Sequence, residues 1–170
     1  MRKTGLFISH FFILLLCSLS VCAEPLKLYV PYPAGWQLRE PLPRDNVLTY
    51  EARQQIDGKT VQHLQITAIS PPQGKPAPNA EALRQLASGL RDATLKTAQE
   101  KEIPLQTFST VQGYYYRATD KNPKPGEFTQ MIEGVVIDHG YLINFTLLTN
   151  DAKGKDAQAM ITALDKLSIH

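Results

Sequence analysis

Apolar and polar residues alternate most regularly in the last third of the chain. Ile132, Gly134 and Val136 share one face, and Met131, Glu133, Val135 and Ile137 the other, the period of two that marks a strand. Asp138-His139-Gly140 supplies a tight turn. Tyr141, Ile143, Phe145 and Leu147 then set four large apolar groups on one face of a second strand. From Ala157 the period changes. Ala157, Met160, Ile161, Leu164 and Leu167 recur at steps of three and four, so a closing helix lays an apolar stripe on the hairpin.

The same reading upstream gives a short strand over residues 26–30 and a turn at Pro31-Tyr32-Pro33-Ala34-Gly35, whose prolines cannot donate to a central ladder. Trp36 follows as an aromatic anchor closing one end of the sheet. Val47, Thr49 and Glu51 alternate with Leu48, Tyr50 and Ala52. Asp57-Gly58 turns that strand into another, with Leu64, Ile66 and Ala68 on one face and His63 on the other. A stiff proline-rich crossover over residues 71–78 leads to Asn79, which caps a long helix running to Lys101. Leu83, Leu86, Ala87, Leu90 and Ala98 form its stripe, and Pro104 ends it. Gly89 inside that helix costs about 1 kcal/mol relative to alanine, which close packing by another element would explain. Leu105, Thr107, Ser109 and Val111 begin a further strand, Gln112-Gly113 marks a turn or bulge, and Tyr114-Tyr115-Tyr116 opens the next. The order predicts an α+β fold: an antiparallel β-sheet covered by a long middle helix and a C-terminal helix, an α/β/α sandwich.

The first 23 residues stand apart. Met1-Arg2-Lys3, an apolar run from Leu6 to Val21 and Val21-Cys22-Ala23 before Glu24 read as a secretory signal peptide cleaved between Ala23 and Glu24. The dense apolar part is shorter than the roughly 20 residues that span a membrane, so no stable membrane insertion is expected after cleavage. A lipoprotein anchor on Cys22 is the other reading, although Val21 sits where that signal wants a small residue. Cleavage removes Cys17 and Cys22, so the remaining domain has no disulfide. It also takes the basic count from 18 to 16, level with 16 acidic residues. A neutral surface without a basic run gives no pull toward nucleic acid. Residues 24–170 suit a single domain with one core.

Chemistry-bearing motifs are sparse. His63, His139 and His170 lack metal-ligand spacing, no serine sits in a Gly-x-Ser-x-Gly turn, and the glycines form no nucleotide loop. No catalytic, cofactor or metal site is expected. Asn144-Phe145-Thr146 matches a glycosylation pattern but lies mid-strand. Candidates for partner contact are Tyr114 and Tyr116, which share one strand face, Lys121 and Lys124 on a loop over residues 120–126, and His139 in the hairpin turn.

This order of elements, with the proline-Gly35-Trp36 entry, Gly113 before the tyrosine strand, Gly140-Tyr141-Leu142-Ile143 and the closing Ala163-Leu164-Asp165-Lys166-Leu167, resembles the PsbP-like superfamily over nearly all of residues 26–169. That superfamily includes extrinsic photosystem II subunits, a nuclear-import factor that binds the GTPase Ran, and small bacterial proteins, some of them adaptors for secreted toxins. The resemblance implies a non-enzymatic binding module without naming its partner. The expectation is an exported bacterial accessory protein of the periplasm contacting a protein partner, with immunity against an envelope toxin as one specific form. The alternative is a small periplasmic ligand carrier or hydrolase with a site between helix and sheet. A pocket of convergent polar groups, for instance His63 meeting a carboxylate, favours the alternative. A filled core with an exposed apolar patch favours the binding module.

Overall fold

A computed structural model describes residues 27–39, 41–44, 47–71 and 76–170. The expected signal peptide, its Ala23/Glu24 cleavage point and Cys22 lie outside the described residues. Along the chain come β1 (Leu28–Tyr29), β2 (Trp36–Leu38), β3 (Leu42–Arg44), β4 (Val47–Ile56), β5 (Lys59–Ile69), α1 (Ala80–Leu95), β6 (Gln106–Thr107), β7 (Gln112–Thr119), β8 (Gln130–Asp138), β9 (Tyr141–Thr149), α2 (Lys155–Leu164) and β10 (Ser168–Ile169). The main sheet runs β2-β4-β5-β9-β8-β7-β6, with β3 also on β4, and β1 pairs with β10 in a separate ribbon. Every pairing among these strands is antiparallel. The fold is therefore mixed α+β.

Two tight turns set the register. Asp57 and Gly58 have φ of 50° and 74°, and His139 and Gly140 have 45° and 84°, the paired positive values of a hairpin turn that matches strand twist. From these hairpins β5 and β9 meet at the centre of the sheet, Leu64 opposite Leu147 and Ile66 opposite Phe145.

One sheet face carries the main core. Tyr50, Leu64, Ile66, Ile143, Phe145 and Leu147 pack there with Ala157, Met160, Ile161 and Leu164 of α2, and Val30 and Ile169 bring in the terminal ribbon. On the other face α1 sets Leu83 and Ala87 against Val135, while Tyr116 and Ala118 pack with Ala98 and Ile103 beyond the helix end. Asn79 caps α1 as expected, its Oδ1 accepting from the Ala82 N–H at 2.9 Å.

Four local expectations need correction. The middle helix stops at Leu95 rather than Lys101. Beyond it Ala98 bridges to Asp120, the Gln99 N–H donates to the Thr119 carbonyl and the Lys121 N–H to the Thr97 carbonyl, so sheet-like bonds replace helical ones. Gly89 is exposed and nothing lies within 4 Å of where its Cβ would be, so no close packing explains it. Gly113 lies inside β7, not in a turn; a Cβ there would meet the Val135 carbonyl oxygen at 2.7 Å. Finally, the strand expected over residues 105–111 is reduced to Gln106–Thr107.

Candidate functional site

On β4 and β5 Tyr50, Ala52, Leu64, Ile66 and Ala68, facing α2, are buried, whereas Thr49, Glu51, Arg53, Val61, His63, Gln65 and Thr67 on the opposite side are all half-buried or exposed. α1 packs on β7 and β8. The polar half of its sheet face is thus left uncovered by the described residues.

Cross-strand register gathers a charged cluster there. Arg53 stands opposite His63, Glu51 opposite Gln65, and Gln65 opposite Thr146 of β9. Arg39, just past β2, adds a second guanidinium. One oxygen of Glu51 lies 3.4 Å from Arg39 Nη1, 3.9 Å from Arg53 Nη2 and 3.9 Å from His63 Nε2. The last distance is too long for a hydrogen bond, and His63 Nε2 has no partner among the described residues. Burial and the nearby Arg53 hold the His63 pKa below its usual value, against the opposing pull of Glu51. His63 does meet a carboxylate, but on an open sheet face and not in an internal pocket.

The polar row continues under α1. Thr146 stands opposite Glu133, and Glu133 opposite Tyr116. The Tyr116 hydroxyl is hydrogen-bonded to the Glu133 carboxylate and lies 2.9 Å from Thr94 Oγ1. Burial, then Glu133, pushes the Tyr116 pKa above the ordinary phenol range, so its hydroxyl stays a neutral donor.

The proposed contact residues do not form one patch. Tyr116 is fully buried, which corrects its placement on a contact surface. Tyr114 is half-buried against the Leu83, Ala87 and Val135 cluster under α1. Lys121 and Lys124 are exposed on the loop before β8, with Lys124 Nζ 3.8 Å from Glu127 Oε1. His139 is exposed in the turn after β8, its Nδ1 3.0 Å from Asp138. β8 has nine residues, so that turn lies about 30 Å from the lysine loop. Between the end of α1 and that loop, Thr94, Ala98, Ala118 and Met131 help line a cavity of about 130 Å³. This is well below the roughly 300 Å³ at which small-molecule sites begin.

Arg39, Glu51 and Arg53 were not singled out by the sequence. The only signal was Glu51 and Arg53 alternating with apolar residues on a strand that also reads as ordinary solvated surface. Exposed large apolar groups, Tyr29, Leu38, Ile56 and Leu86, are spread over four elements. Among the described residues no three His, Cys, Asp or Glu side chains group to hold a metal ion, and no helix is long and apolar enough to cross a membrane. No protein-family model and no curated protein matches the chain.

Proposed function

We propose that the chain is an exported, non-enzymatic binding module of the bacterial periplasm, an α/β/α sandwich of the PsbP-like kind, that docks a protein partner on the open face of β4, β5 and β9. The observation that carries this reading is the Glu51 cluster. Two guanidiniums and a histidine surround one carboxylate on a sheet face that α1 leaves uncovered. The surplus is positive, so an acidic segment of a partner would complete it. Filled packing beneath the sheet supports a docking surface over an internal chamber: Phe145, Leu64, Ile66 and Leu147 are completely buried. Export rests on the basic start and apolar run of residues 1–23.

The test is affinity capture of the tagged protein from the envelope fraction of its own host, with mass spectrometry of what it retains. One stoichiometric protein partner is the expected result. A retained small molecule without any protein partner would overturn the reading.

A further inference from the structure

A second polar site lies on the opposite face of the sheet, at the β4–β5 hairpin end. Trp36, Gln54, Gln62, Thr149 and Gln130 are successive cross-strand neighbours on the side that α2 covers. One step inward the same rows hold Ala52, Leu64 and Leu147. Here they turn polar while staying buried, with Gln54 9%, Gln62 4% and Thr149 2% exposed. Thr149 and Gln130 are paired, accepting from the N–H groups of Asp151 and Ala152. The indole N–H of Trp36 and the carboxamide oxygens of Gln54 and Gln62 have no partner among the described residues. A buried polar group left unpaired costs about 1–3 kcal/mol, so three in adjacent positions call for a partner beyond the described residues.

Gln54 and Gln62 line a groove of about 640 Å³ together with Thr149, Asp151, Gly154 and Asp156. That volume falls within the roughly 300–1,000 Å³ of small-molecule sites. Two features shape it. A register shift between Gln54 and Gln55 leaves Val61 unpaired and bends the hairpin end, as bulges beside binding sites do. Gly154 begins α2 without a side-chain cap, and a Cβ there would fall 2.1 Å from Asp151 Oδ2. The start of α2, Gly154 to Asp156, thus lines the groove with no side chain capping the helix.

Charge decides the class of ligand. Lys59 and Lys155 balance Asp151 and Asp156 along the groove. The carboxylates disfavour an anion at the helix start, and the ammonium groups disfavour a cation. A neutral ligand rich in hydroxyls meets neither obstacle. Each hydroxyl donates to a carboxamide oxygen or accepts from a carboxamide or helix N–H, so a vicinal diol satisfies two side-by-side glutamines whichever end they present. We propose that this groove binds a saccharide through Gln54, Gln62 and the start of α2, independently of the partner-docking face.

The test is NMR of the purified protein, following the side-chain amide signals of Gln54 and Gln62 during titration with cellobiose, maltose and N,N′-diacetylchitobiose. At least one sugar is expected to shift both signals at millimolar concentration, and Gln62→Leu to weaken its binding by about tenfold or more. Because the leucine removes an unpaired buried group, Gln62→Leu should melt no lower than wild type. If that variant fails to fold, Gln54→Leu takes its place with the same expected loss. Absence of any shift in both glutamines with all three sugars, or binding unchanged in the variant, overturns the proposal.

Discussion

Asp165, the residue closing α2, ties that helix to the segment before β7. Its carboxylate accepts from the backbone N–H groups of Ser109 at 3.2 Å, Thr110 at 2.7 Å and Val111 at 3.2 Å. Charge-assisted bonds of this kind are strong, and removing the acceptor leaves three donors to find water. Asp165→Ala should cost about 1–3 kcal/mol in denaturant unfolding. Gly89 predicts the opposite sign. It sits in mid-helix with open space around it, so Gly89→Ala should stabilise by up to about 1 kcal/mol, seen as a higher melting temperature. The sequence located both residues, but not their surroundings. A glycine in a helix reads the same whether a neighbour presses on it or not, and nothing local tells Asp165 that it will meet residue 110.

Elements with many residues in one period were legible; short or interrupted ones were not. The β8–β9 hairpin and α2 each repeat their pattern several times, and Asn79 announces α1 by a capping bond made within the helix itself. β2, β3 and the β1–β10 ribbon have two or three residues each, too few to show a period. The end of α1 misled for another reason: Ala98 continues the apolar stripe, yet its surroundings pair it with Asp120. The Glu51 cluster stayed hidden because of the bulge. Counting back from Asp57-Gly58 pairs Ile56 with Lys59 and Gln55 with Thr60, and a regular ladder would then bring Arg53 opposite Gln62. The shift at Gln54/Gln55 brings it opposite His63 instead. That pairing also sets a pH dependence. Because the folded-state pKa of His63 lies below 6.5, the unfolded chain takes up this proton first on acidification. The stability present above pH 6.5 is thus lost as pH falls from there toward the lowered folded-state value. The melting temperature should drop across that window, and His63→Gln should flatten the drop.

At the scale of the molecule, the two helices divide the labour of covering the sheet unequally. α2 lies over a continuous core on one face, while α1 packs on β7 and β8 and leaves the charged half of the other face open. This asymmetry leaves open the face of β4, β5 and β9 on which docking is proposed. Arg39 and Arg53 are 61% and 36% exposed, so exchanging each for glutamine should cost no more than about 1 kcal/mol of folding stability. The most direct measurement is therefore capture from the host envelope with wild-type protein and Arg39→Gln/Arg53→Gln side by side, both checked for a cooperative melt. The wild type should retain one protein partner and the double variant should bind it at least about tenfold more weakly, a difference of about 1.4 kcal/mol. Equal recovery of the same partner by both proteins would contradict docking on the open sheet face.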